Sequence, residues 1–165
     1  MINLIERMIK VPNKKVIYLD IDGVLNSDDF ALFCLNEEGY DPFDLDELDP
    51  RAIKNLKYIV ENTGASIVLS SSWRWDKDAF AKVKQQLKVF DLEIKDTTIM
   101  ELWTTMSRTV EIKQHLEEHP EIKNYVILDD ANIEEPLTSH WARCLFKNGL
   151  TRKVAEEAIK ILEEK

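Results

Sequence analysis

Short apolar runs alternate along the chain with longer stretches whose apolar positions recur every three or four residues. Residues 16–20 (VIYLD) form the first run, nearly continuous as in a strand covered on both faces. Asp22-Gly23 then marks a turn, and residues 26–48 are polar, acidic and aromatic with no clear period. Asp49-Pro50 reads as an N-cap followed by proline at the first helical position. Ile53, Leu56, Ile59 and Val60 follow at helical spacing, up to a C-cap at Gly64. A second strand is expected over 66–70 (SIVLS). Asp76 or Asp78 opens a helix carrying Phe80, Val83, Leu87 and Phe90, and a short strand is placed near 92–94. Ser107 caps a helix bearing Val110, Ile112 and Leu116, with Glu111 available for a capping arrangement. Residues 125–129 (YVILD) form the third clear strand, and 144–146 are placed as a last short one. Thr151 starts a final helix whose buried stripe is Val154, Ala158, Ile161 and Leu162. Strands alternating with amphipathic helices predict an α/β fold with a central, mostly parallel sheet.

Length and charge narrow the picture. A chain of 165 residues suits one domain with one sizeable core, and no repeat, low-complexity tract or linker divides it. Lys and Arg number 22 against 31 Asp and Glu, a formal net charge of −9. That balance argues against broad, sequence-independent binding to nucleic acid, which relies on basic surface, while leaving room for a local basic groove. Cys34 and Cys144 stand far apart among apolar neighbours and read as buried free thiols, compatible with a reducing cytoplasm. The segment MINLIERMIKVPNKK lacks a signal-peptide core, and no run reaches the ~20 apolar residues that span a bilayer. A cytoplasmic protein without membrane association is expected. His115, His119 and His140 show no ligand spacing with a cysteine or an acid and read as ordinary residues. Nothing in the sequence bears on oligomeric state.

Candidate chemistry sits where the apolar strands end: Asp20, Ser70 and Asp129. In an open parallel sheet, ligands bind outside the carboxyl ends of the strands, so residues from separate strands converge there. In D20-I-D22-G23, two acids one residue apart at a strand exit can both face the crevice, and Gly23 permits the turn and a close backbone approach. A D-x-D-G alone also fits a surface turn or a calcium loop, but residues 24–31 do not supply the acidic series of an EF-hand. Ser70 and Ser71, followed by backbone N–H groups, suit phosphate oxygens. Asp129-Asp130 would be costly at the end of an apolar strand unless solvated, paired or bound to a hard cation such as Mg2+; a helix N-cap is the plainer alternative. Arg108, early in the helix before that strand, can reach a phosphate and offset the carboxylates, or stand solvated on a helix face. Trp73 and Arg74 fit a nucleotide contact as well as a core tryptophan and an acid-paired arginine.

In this order, DIDGVLN, IVLSSSWR, Arg108 in RTVEI, VILDD and the late NGLT resemble the haloacid dehalogenase (HAD) superfamily over nearly the whole chain. They are most similar to a compact subgroup that includes the HAD domain of multi-domain RNA-repair proteins. The resemblance implies a Rossmann-like three-layer sandwich with little or no cap, residues 26–48 being a small flap or insertion. It implies a phosphomonoester hydrolase in which Asp20 attacks phosphorus to form an aspartyl-phosphate. Asp22 protonates the leaving group and then activates water. Mg2+ is held by the Asp20 carboxylate, the Asp22 carbonyl and Asp129, with Asp130 as ligand or water-orienter, and Ser70, Ser71, Arg108 and Gly23 lie at the phosphate. A phosphorylated substrate, a nucleotide or nucleic-acid end, is preferred. A sugar-phosphate phosphatase and a HAD-fold module that only binds phosphorylated partners are the alternatives. Phe30, Phe33, Tyr40 and Phe43 either stack on a base or, as favoured here, pin the flap to the core.

Overall fold

A computed structural model describes residues 14–37, 47–98 and 107–164. The strands are β1 (Lys14–Leu19), β2 (Ser66–Leu69), β3 (Ile94–Thr97), β4 (Ile122–Asp129) and β5 (Trp141–Arg143). The helices are α1 (Asp28–Leu35), α2 (Pro50–Thr63), α3 (Lys77–Lys88), α4 (Arg108–Glu118) and α5 (Arg152–Glu163). The strands form one sheet in the order β3-β2-β1-β4-β5, and every neighbouring pair is parallel.

The alternation of side chains along each strand builds the three layers. Ile17 and Leu19 of β1, Ile67 and Leu69 of β2, and Val126 and Leu128 of β4 belong to one buried cluster with Leu56 of α2, Leu87 of α3 and Leu162 of α5. Val16, Tyr18, Val68 and Ile127 belong to the other, with Ile112 of α4 and with Ile133 and Leu137. Central strands buried on both faces explain the continuous apolar runs.

Most helix ends are where the caps place them. Asp49 accepts from Arg51 N–H at 2.8 Å, and Gly64 closes α2 at φ 69°. Asp76, not Asp78, caps α3, accepting from the N–H groups of Asp78 and Ala79. Thr151 accepts from Val154 N–H at 3.3 Å. Glu111 does not take part in the cap of α4; its carboxylate turns inward to Arg74.

Two short strands differ from expectation. The third strand in sequence begins at Ile94 because Leu92 is used otherwise: its N–H bonds Leu87 O at 3.1 Å and its side chain is buried, finishing α3. The last strand precedes residues 144–146. Cys144 N–H still bonds Asp129 O at 3.1 Å, but Gly149 N–H returns to Leu145 O at 2.8 Å, making 145–149 a turn with Leu145 and Phe146 exposed. Both cysteines are buried and free. Among the described residues no helix is long and apolar enough to cross a membrane.

The expected flap begins with α1, capped by Ser27. Phe30 is buried and pins it, whereas Phe33 is 54% exposed with the Arg51 guanidinium over its ring. Tyr40 and Phe43 lie outside the described residues.

A Cβ at Gly64 would meet nothing within 4 Å, so only the left-handed backbone opposes a side chain there. Gly64→Ala is expected to cost about 1–2 kcal/mol in urea unfolding, with the structure around Asp20 unchanged.

Candidate active site

Four polar residues stand side by side at the carboxyl edge of the sheet, each placed by a backbone hydrogen bond to its neighbour. Thr98 N–H bonds Leu69 O (3.1 Å), Ser70 N–H bonds Leu19 O (2.9 Å) and Asp20 N–H bonds Leu128 O (3.0 Å), beside Asp129 at the end of β4. Carboxylate oxygens of Asp20, Asp129 and Asp130 lie within 4.8 Å of one another. Asp129 is completely buried and Asp20 nearly so.

Such a cluster repels itself, and Arg108 answers it. Its Nε is 2.8 Å from Asp129 Oδ2, its Nη2 3.3 Å from Asp20 Oδ1 and its Nη1 3.5 Å from Glu111 Oε2. Burial pushes the Asp129 carboxyl up to about 6; the Asp20 charge adds to this and Arg108 opposes it. Burial raises Asp20 as well, against the pull of Arg108 and the Ser71 hydroxyl.

The site also holds buried polar atoms that no hydrogen bond satisfies. They are Ser70 Oγ, Thr98 Oγ1, and the facing atoms Asp129 Oδ2 and Arg108 Nε, whose contact is an ion pair without hydrogen-bond alignment. Each such atom costs about 1–3 kcal/mol unless something completes it. Hard carboxylate oxygens gathered at a strand edge, one of them lacking a hydrogen bond, fit Mg2+, which takes few protein carboxylates and keeps its waters.

Asp22 lies beside this cluster, not in it. Its Oδ2 accepts from the Trp73 indole N–H at 2.9 Å and its Oδ1 from the Asn26 amide at 2.8 Å. Gly23, expected at the phosphate, donates its N–H to Asn26 Oδ1 at 3.0 Å. What Gly23 supplies is room: at φ 70°, a Cβ would stand 2.6 Å from Asp130 Cγ.

The loop after β2 is tied down from beneath. Arg74 is buried; its Nη1 donates to the carbonyls of Ser70 (2.6 Å) and Ser71 (2.5 Å), and its Nη2 to Glu111 Oε2 at 2.9 Å. Of the two readings of Arg74, pairing with an acid is therefore the one observed. Ser71 Oγ accepts from Trp73 N–H at 3.4 Å, starting a 3-10 turn over Ser72–Trp75. Trp73 packs partly buried against the core.

A family model described as the HAD domain in Swiss Army Knife RNA repair proteins matches residues 16–155. The chain belongs to this family. No curated protein and no solved structure matches significantly. Membership agrees with the sheet order and three-layer build, and brings a phosphatase-like function at the level of the HAD superfamily. HAD proteins generally use Mg2+, and the acidic cluster of this HAD domain is a possible place for it.

Several residues here carry little signal in the sequence. Thr98 follows IKDT, too polar a stretch to mark a strand exit, and the pairing of Arg74 with Glu111 spans 37 positions. Asn26, four residues after Asp22, ends the DIDGVLN segment, and nothing in the sequence marks its bond to the Asp22 carboxylate.

Two outcomes are expected. Arg74→Met should destabilise the domain by about 3–5 kcal/mol, because it leaves buried Glu111 with only its longer contact to Arg108 and takes the donor from the Ser70 and Ser71 carbonyls; Arg74→Met with Glu111→Leu should recover part of that loss in urea unfolding. The second concerns pH. The folded domain holds the Asp129 proton to about pH 6, whereas an unfolded chain releases it near 3.8. Across that window the folded state binds more protons, so this group's contribution to stability falls as pH rises. In EDTA, the stability of Asp129→Asn relative to the parent should therefore improve from about pH 5 to about pH 7.

Proposed function

We propose that this HAD domain is a Mg2+-dependent phosphomonoester hydrolase that works through an aspartyl-phosphate on Asp20 and acts on the terminal phosphate of a nucleotide or nucleic acid. The observation that carries the reading is the convergence of Asp20, Asp129 and Asp130 within 4.8 Å, beside a buried Ser70 hydroxyl that lacks a partner.

Asp20, Asp129, Asp130 and the Asp22 carbonyl would hold Mg2+, whose charge offsets the repulsion between an anionic nucleophile and an anionic substrate. An Asp20 carboxylate oxygen forms the bond to phosphorus while the bond to the leaving oxygen breaks. Ser70 Oγ donates to a phosphoryl oxygen, which satisfies an atom otherwise left alone. Arg108, already poised between Asp20 and Asp129, turns its remaining N–H groups to the same oxygens, where charge is greatest during transfer. Asp22 gives a proton to the leaving alkoxide and takes one from the water that cleaves the acyl phosphate. Trp73 and Asn26 hold the Asp22 carboxyl and so are positioning residues.

The leaving-group side supports the nucleotide reading. A cleft of about 450 Å³ adjoins Asp22, with Phe30, Trp73 and Phe146 in its walls. Aromatic faces suit a base, and stacking contributes about 1–3 kcal/mol per base. Asp28 and Glu47 also line the cleft and disfavour a second phosphate there, so a terminal nucleoside fits better than a polyphosphate. The matched family is described from RNA repair proteins, which points the same way.

Purified protein should release phosphate from 3′- or 5′-phosphorylated oligonucleotides with Mg2+ and lose that activity in EDTA. Asp20→Asn should remain folded by circular dichroism and show no turnover. Hydrolysis confined to sugar phosphates would refute the substrate assignment, and a fully active Asp20→Asn would refute the covalent route.

A further inference from the structure

A second group of potential ligands lies on the α4 face of the sheet. His115 and His119 stand one helical turn apart, the latter at the C-cap of α4, and Asp96 of β3 comes between their ring nitrogens. Asp96 Oδ2 is 3.4 Å from His115 Nε2 and 3.7 Å from His119 Nε2. The imidazoles lie nearly parallel, with centroids 4.3 Å apart. These residues read as ordinary in the sequence; the fold supplies the carboxylate that the linear spacing lacks.

Hydrogen bonding accounts for this arrangement only in part: at 3.4 Å the Asp96–His115 contact is a long hydrogen bond, and at 3.7 Å the Asp96–His119 contact is beyond the range of one. Ligand atoms at the corners of a tetrahedron around zinc, each about 2.0–2.1 Å from it, stand roughly 3.3 Å apart. The remaining atoms of all three side chains are already held. Asp96 Oδ1 accepts from Thr97 N–H at 2.8 Å, which leaves Oδ2 for the rings. His115 Nδ1 is 2.9 Å from the Tyr18 hydroxyl, and His119 Nδ1 is 3.1 Å from Glu121 Oε1. A carboxylate or hydroxyl on the far nitrogen is how metal-bound imidazoles are oriented, since it keeps the proton on Nδ1 and the lone pair on Nε2.

We propose that Asp96, His115 and His119 form a second metal site, for zinc or a similar borderline divalent ion, which fastens edge strand β3 to the end of α4. Two nitrogens and one oxygen suit such an ion, whereas the all-oxygen cluster at Asp20 suits Mg2+. The side chains of Asp96 and His119 are 39% and 31% exposed, so an ion has access from solvent and water completes its shell. The site is independent of the hydrolase reading.

Calorimetric titration of tag-free protein with zinc chloride, under saturating Mg2+, tests this. One zinc per chain is expected, with a rise in Tm. His119→Gln and Asp96→Asn, both at partly exposed positions, should each weaken zinc binding at least about tenfold and abolish that rise. Asp129→Asn should leave zinc affinity unchanged. Absence of zinc binding, undiminished affinity in both ligand variants, or loss of zinc in Asp129→Asn would each overturn the assignment.

Discussion

Repulsion among three carboxylates at the edge of one sheet governs the rest of this molecule. Asp20, Asp129 and Asp130 are brought within 4.8 Å of one another at the end of apolar, buried strands, and with Asp20 and Asp129 buried and Asp130 half-buried, water relieves little of the charge on the first two. A protein tolerates such a cluster only by raising its proton affinity, pairing it with a cation, or both. Here both occur: burial lifts Asp20 and Asp129, and Arg108 touches the two of them at once.

The cation that answers the repulsion needs its own support, and the architecture beneath the site provides it. Arg108 begins α4, and Glu111 one turn later meets both Arg108 and Arg74. Arg74 in turn grips the carbonyls of Ser70 and Ser71. One buried acid thus joins the loop that presents the Ser70 hydroxyl to the helix that presents the guanidinium. A second set of contacts, from Trp73 and Asn26 to Asp22, fixes the remaining acid. Phosphoryl-transfer chemistry depends on such positioning more than on reactive groups as such.

Legibility in the sequence followed burial. Val16 to Leu19, Ile67 to Leu69 and Val126 to Leu128 announce central strands because both faces are covered, and their last residues announce the site. The edge strands were harder. Asp96 sits within β3 and Arg143 within β5, because an edge strand needs cover on fewer sides and admits charge. Leu92, Leu145 and Phe146 drew the expected strands off position, since apolar character alone does not distinguish a helix terminus or an exposed turn from a strand. In the site itself, Asp20, Ser70, Arg108 and Asp129 stood out as motif residues, while Thr98 and Glu111 did not.

The sequence by itself determined the fold class, the family and the acids at the strand exits, because those are properties of local order: periodicity, caps and short motifs read along the chain. Only the tertiary structure decided what each of these residues meets. That Asp130 needs Gly23 to lack a side chain, that Glu111 serves two arginines instead of a helix cap, and that Asp96 lies between two histidines are all facts of through-space distance. Contacts between residues far apart in the chain arise when the layers close over the sheet, and no spacing along a sequence encodes the distance at which they come to rest.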